Sequence, residues 1–175
     1  CYDESKRVGE TLTYIYHREK GVKSTVVRPF NVYGPGMQET DYRVLPNFAS
    51  RIKRSEPLQV YGTGNQTRTF CYITDAINGF LRVCALGVPG EAYNVGNPSP
   101  EISMKELVER TEKVLGREVE HNLMEYPDAY PADEPNRRCP DIRKAKIQVQ
   151  YEPVVQLEEG LKRFYGWTNE VYTTS

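Results

Sequence analysis

Histidine is almost missing from this sequence, with only His17 and His121 in 175 residues. Neither has a neighbouring set of ligands, so no metal site is expected and both read as surface histidines. Cysteine is scarce and scattered. Cys1, Cys71, Cys84 and Cys139 form no C-x-x-C pair, which argues against a zinc site and a disulfide framework and for reduced, mostly buried thiols in a cytoplasmic protein. Long apolar runs are absent, which excludes a membrane-spanning helix, and no secretory leader is visible. Charge of one sign is not in excess either. Lys and Arg number 23 against 24 Asp and Glu, a net charge of -1, so neither nucleic acid nor an anionic membrane is expected as partner. A Gly-rich strand–turn–helix phosphate loop is also missing. Gly62-Thr63-Gly64 comes nearest, but it lacks the third glycine. Residues 69–73 after it read as strand where that motif needs a helix, so it is a tight turn.

What remains is enough for one domain with a sizeable core, and its elements alternate. Residues 3–19 predict a helix, with Val8, Leu12, Ile15 and Tyr16 at helical spacing and Gly21 at its end. Residues 24–28 are a short β-rich run, and the Pro- and Gly-bearing residues 29–36 form a loop past its carboxyl end. Ligands of open α/β sheets bind at such ends. Asn31 is there either to hydrogen-bond a ligand or to make the turn. Residues 46–53 predict a helix and residues 58–61 a strand. Asp75 is expected to cap a helix to about residue 86, with Ile77, Phe80, Leu81 and Cys84 on its apolar side. Residues 92–95 form a strand, Ser103-x-x-Glu106 is a capping box for a helix ending at Gly116, and residues 119–123 a further strand. Residues 126–138 are a loop or lid. Asp141 caps a short helix, and residues 157–165 form the last one.

Tyr2-x-x-x-Lys6 lies at the start of the first helix. Positions i and i+4 share a helix face, and an ammonium beside a phenol favours phenolate. Such a tyrosine can serve as a general base near neutral pH. Arg68, beside the 62–64 turn, is either a bidentate phosphate ligand or a solvated arginine.

Taken together, these landmarks resemble the extended short-chain dehydrogenase/reductase family, in its nucleotide-sugar branch. The matching pieces are Tyr2-x-x-x-Lys6, Arg28-Pro-Phe-Asn31-Val-Tyr-Gly-Pro35, Val60-Tyr-Gly62, Gln66-Thr-Arg68-Thr-Phe, Tyr72-Ile-Thr-Asp75, Tyr93-Asn-Val-Gly-Asn97, Arg138-Cys-Pro-Asp-Ile142 and Leu157-Glu-Glu-Gly-Leu161. Within the branch the sequence is most similar to UDP-glucuronate decarboxylases, the UDP-xylose synthases. Nucleotide-sugar 4-epimerases and 4,6-dehydratases share most of these landmarks. The resemblance implies the C-terminal part of a Rossmann-type doubly wound parallel sheet plus a small mixed α/β substrate-binding domain. Residues 1–36 and 67–96 would be late elements of the NAD-binding domain, and residues 37–66 and 97–175 would bind the nucleotide sugar. The Gly-rich N-terminal half expected of the family is not in the sequence, so it looks like the C-terminal half of an enzyme.

The resemblance also implies roles. Tyr2 would be the base that takes the proton of the sugar 4-hydroxyl, and Lys6 would hold the nicotinamide ribose of NAD and lower the Tyr2 pKa. Pro29 and Val32 would border the nicotinamide, and Arg43 would contact the cofactor or the closed loop. Asn31, Arg68 and Arg138 would grip the diphosphate or the acidic group of a UDP-sugar. Leu45, Phe48 and Tyr61 would border the uridine. The implied partners are the missing half and a second copy, docked through the helix bearing Tyr2. Two placements follow as expectations: Tyr2 and Lys6 facing a cleft bordered by Pro29 and Asn31, and Arg68 converging with Arg138 on one anion site. A reading from another class is a non-catalytic nucleotide-sugar-binding or assembly fragment.

Overall fold

The structure, a computed structural model, describes residues 1–126 and 135–173, with the backbone but not the side chain of Tyr2. In chain order the elements are α1 (Tyr2–Lys20), β1 (Val26–Pro29), β2 (Val32–Tyr33), α2 (Val44–Arg54), β3 (Leu58–Tyr61), β4 (Thr67–Arg68), β5 (Cys71–Tyr72) and α3 (Ile73–Leu86). They continue with β6 (Ala92–Val95), β7 (Ile102–Ser103), α4 (Met104–Leu115), β8 (His121–Met124), β9 (Arg137–Arg138), α5 (Arg143–Val149) and α6 (Leu157–Val171). Asp3 and Glu4 in the first turn of α1, and His17, Arg18 and Lys20 in the last, complement the helix dipole. Gly21 ends the helix in the left-handed region at φ 66°, donating its N–H to the His17 carbonyl. The Ser103–Glu106 capping box opens α4 as expected.

Pairing is mostly parallel. β1 runs beside β6 from Val26↔Ala92 to Pro29↔Val95. β2 runs beside β5, and β3 beside β8. β4 lies between antiparallel β7 and parallel β9. Two apolar clusters carry the packing. The larger joins Phe48 of α2, Leu58 of β3, Leu107 of α4, and Leu161 and Phe164 of α6. The smaller joins Val83 of α3, Tyr93 and Val95 of β6, Val149 of α5, and Tyr151. Residues 142–151 therefore pack with α3 and β6, so the division between clusters falls inside the 97–175 segment.

Several local expectations change. Residues 69–73 are not one strand: β4 and β5 are separate two-residue pairings, and Ile73 already belongs to α3. Asp75 does not cap α3, which starts after Tyr72. It sits buried in the first turn and accepts the N–H groups of Val154 and Val155 at 3.0 and 2.8 Å. The buried side of α3 is also not the one carrying its large residues. Ile77, Phe80, Leu81 and Cys84 are exposed, and Ala76, Gly79 and Val83 face inward. The reason is close approach: a Cβ on Gly79 would lie 2.5 Å from Val95 Cγ1 and 2.9 Å from Tyr151 Cε2. Large side chains are thus shut out of that face by β6 and Tyr151. The thiols are mixed rather than mostly buried. Cys71 is buried, which pushes its thiol up to about 11, Cys139 is half-buried, and Cys1 and Cys84 are exposed. Asp141 accepts the Arg143 N–H at 2.9 Å, but Ile142 holds the N-cap position of α5. The last helix runs on to Val171. Among the described residues no helix is long and apolar enough to cross a membrane, and no cluster of three metal-ligating side chains occurs.

Candidate active site

Helix α1 puts the backbone positions of Tyr2 and Lys6 on one face. The Tyr2 side chain lies outside the described residues, so its expected approach to the cleft does too. An ion pair between α1 and β1 ties that helix to the strand leading to the site. Arg28 Nε donates to Glu10 Oε1 at 2.7 Å and Nη2 to Oε2. The guanidinium holds the Glu10 carboxyl below its ordinary range.

Beyond β1 the chain turns sharply. Pro29 is exposed at the strand's end. Asn31 takes a left-handed φ of 44°, a conformation asparagine tolerates better than most residues. Its Nδ2 donates to the Thr69 carbonyl at 2.8 Å, and its own carbonyl accepts the Cys71 N–H at 3.1 Å. Asn31 thus ties the loop after β1 to the segment joining β4 and β5, whatever else it touches. Val32 and Arg43 meet in a cleft of about 420 Å³, also lined by Gly34, Met37, Asp41 and Ile73. The Arg43 guanidinium is engaged with Asp41: Nε lies 3.0 and 2.9 Å from the two carboxylate oxygens. That bond raises Arg43 and lowers Asp41 from their ordinary ranges.

The three-stranded sheet is where distant arginines meet. Parallel pairing of β4 with β9 sets Thr67 opposite Arg137 and Arg68 opposite Arg138. Directly paired residues point to the same face of a sheet, on strands about 4.8 Å apart. Arg68 is 7% exposed, and its Nη1 donates to the Thr67 carbonyl at 2.7 Å. Arg138 is exposed. Arg137 makes a bidentate pair with Glu101 at 2.8 and 2.7 Å. Thr67 Oγ1 donates to the same carboxylate at 2.6 Å.

Two expected uridine contacts change. Leu45 and Phe48, 2% and 0% exposed, are core side chains of α2. Their apolar surface goes into the larger cluster, so within this segment the half-buried Asn47, whose Oδ1 has no hydrogen-bond partner among the described residues, is the side chain that could still meet a ligand. Tyr61 is half-buried and stacks on Tyr126, with ring centroids 5.8 Å apart and planes 26° apart. Gln66 Nε2 binds both partners, the Tyr61 carbonyl at 2.8 Å and the Tyr126 hydroxyl at 3.2 Å. Tyr126 and Glu101 escaped the sequence reading, because one aromatic after a strand and one carboxylate after a proline carry no spacing signal.

The model of the NAD dependent epimerase/dehydratase family matches residues 1–96. UDP-glucuronic acid decarboxylase 5 of Arabidopsis thaliana is 42% identical over 161 residues, 92% of this chain and 46% of that protein. The structure of UDP-glucuronic acid 4-epimerase from Bacillus cereus, in complex with UDP-glucuronic acid and NAD, superposes with a TM-score of 0.88. That match has 29% identity and covers 98% of this chain and 53% of that one. DesIV, a dTDP-glucose 4,6-dehydratase of Streptomyces venezuelae with NAD bound, gives 0.85 at 26% identity, covering 97% and 51%. The chain spans about half the length of the curated relatives it matches. Its residues fit one end of NAD. Val32 and Ile73 give the cleft an apolar wall suited to a nicotinamide ring, whereas Pro29 and Asn31, expected to border it, are not among its lining residues, Pro29 being exposed at the end of β1. The 62–64 turn does not provide a pyrophosphate cradle, since it leads into β4 and is overlain by Tyr126 and Lys105. With the family model covering more than half its length, the chain belongs to the NAD dependent epimerase/dehydratase family.

Proposed function

We propose that this chain carries the catalytic helix and the nucleotide-sugar grip of an NAD-dependent enzyme. In this reading the complete protein decarboxylates UDP-glucuronate to UDP-xylose through a 4-keto sugar. The observation that carries the nucleotide-sugar part is the β4–β9 register, which sets Arg68 and Arg138 on one face. Like charges so placed repel, and a diphosphate or carboxylate between them would turn that repulsion into charge-assisted hydrogen bonds. The choice of decarboxylation rests on the 42% identity to a UDP-glucuronic acid decarboxylase.

The residues divide the work as follows. Tyr2, as phenolate, takes the proton of the sugar 4-hydroxyl. Lys6, one turn on, favours the phenolate and orients the nicotinamide ribose. NAD, when bound, supplies reversible hydride exchange at the sugar C4 and is regenerated within a turnover. A glucuronate oxidised at C4 has its ketone β to the C6 carboxylate. The bond to that carboxylate therefore breaks with its electron pair delocalised into the ketone. Pro29 and Val32 border the nicotinamide, and Arg43 closes the cleft beside it through Asp41. Asn31, Arg68 and Arg138 hold the diphosphate, and Tyr61 with the 45–48 segment borders the uracil. The remainder of the enzyme supplies the pyrophosphate-binding turn. A homodimer through the exposed apolar face of α1, in a cytoplasmic setting suited to free thiols, completes the reading.

The test uses the full-length protein with NAD and UDP-glucuronate, followed by proton NMR and trapping of carbon dioxide. The expected products are carbon dioxide and UDP-xylose. UDP-galacturonate without carbon dioxide would replace decarboxylation by 4-epimerisation, the activity of the Bacillus cereus neighbour. Binding of UDP-glucuronate without turnover would leave a binding protein. Arg68→Ala should raise KM for the UDP-sugar about tenfold or more, as loss of a charge-assisted contact does, with NAD affinity nearly unchanged.

A further inference from the structure

Arg137 and Arg138 are chemically identical neighbours on a strand of two residues, yet only one of them can share a face with Arg68. Which one does is decided by register, because successive strand residues point to opposite faces and a slip of one residue exchanges them. The ladder itself is too short to fix that choice. It consists of two residue pairs, with the Thr67 N–H donating to the Asn136 carbonyl at 2.8 Å just before them. Glu101, the residue before β7, adds what the ladder lacks. One carboxylate accepts from Thr67 Oγ1 of β4 and from Nε and Nη2 of Arg137 in β9. It thereby clamps the back-face residue of each strand to the other. Arg137 and Thr67 hold the Glu101 carboxyl below its ordinary range, so the clamp is ionised at neutral pH.

We propose that Glu101 is a positioning residue for the nucleotide-sugar site: by engaging Arg137 on the back of the sheet it fixes the register of β9 and selects Arg138 as the second guanidinium of the Arg68 anion site. The inference rests on the reading of Arg68 and Arg138 as diphosphate ligands. It adds a determinant of affinity that itself touches no ligand.

The experiment is a double-mutant cycle in the full-length, NAD-loaded protein, read by calorimetric titration with UDP and by thermal denaturation. Arg138→Ala is expected to weaken UDP binding about tenfold through loss of one charge-assisted contact, and Glu101→Gln by a similar factor because Arg138 is then no longer held at the site. In the double variant the two losses should not add, because residues acting through one contact are coupled. A merely structural role for Glu101 would lower the melting temperature and leave this coupling at zero. If Arg138→Ala leaves UDP affinity unchanged, the anion-site reading falls and takes the inference with it. If Arg138→Ala weakens binding while Glu101→Gln does not, or the two losses add, the site stands and the inference is overturned. Should Glu101→Gln fail to fold, Arg137→Lys serves in its place. It keeps the charge but removes the fork that engages Glu101, and the same coupling with Arg138→Ala is expected.

Discussion

Asp75 shows how much one side chain can organise. Its carboxylate is 4% exposed and takes two backbone N–H groups from the segment between α5 and α6. It thereby joins a helix of the smaller cluster to a segment whose Val155 packs on the larger one. Asp75→Ala would leave those two donors without their acceptor in a half-buried place. An unsatisfied buried group costs about 1–3 kcal/mol, so urea unfolding should show a loss of that size with an unchanged slope. Asp75→Asn should lose less, because an amide oxygen still accepts. Equal losses for both variants would mean that the charge, not the hydrogen bonds, holds the segment.

At the scale of an element, α3 sets helix propensity against packing. Alanine is favoured over glycine in a helix interior by about 1 kcal/mol. At position 79 the added methyl would sit 2.5 Å from Val95 and 2.9 Å from Tyr151, both fully buried. Overpacking of this kind costs about 1–3 kcal/mol. Gly79→Ala is therefore expected to lower the melting temperature, and a rise would show that β6 and Tyr151 yield easily. The same contact explains why α3 carries its large residues outward, where Phe80 and Leu81 meet no core.

For the whole molecule the uneven covering of α1 is decisive. Val8, Leu12, Ile15 and Tyr16 are all exposed, Leu12 at 50%. Burying one such side chain is worth about 1.5–3 kcal/mol, so four left open forgo a sum comparable to a small domain's stability of about 5–15 kcal/mol. Residues 1–175 expressed on their own are expected to self-associate or to pack loosely, and to bind NAD weakly. Near-ultraviolet circular dichroism, sedimentation and calorimetry check this. A monomer with native-like aromatic signals and micromolar NAD affinity would overturn it.

The sequence by itself determined what local physics controls. The 3.6-residue spacing and the left-handed Gly21 defined α1, reciprocal hydrogen bonds between Ser103 and Glu106 started α4, and a four-residue interval put Tyr2 and Lys6 on one face. The ordered landmarks were also enough to indicate the family that residues 1–96 match. Only the tertiary structure decided which face of α3 turns inward, because close approach of β6 and Tyr151 outweighs the helix's own apolar pattern. It alone placed Leu45 and Phe48 in the core. That Arg68 and Arg138 come together was already implied by the family resemblance, but only the tertiary structure supplied the β4–β9 register that sets them opposite each other and gave Arg137 to Glu101, since a strand of two residues has no period to read and its register depends on partners far along the chain.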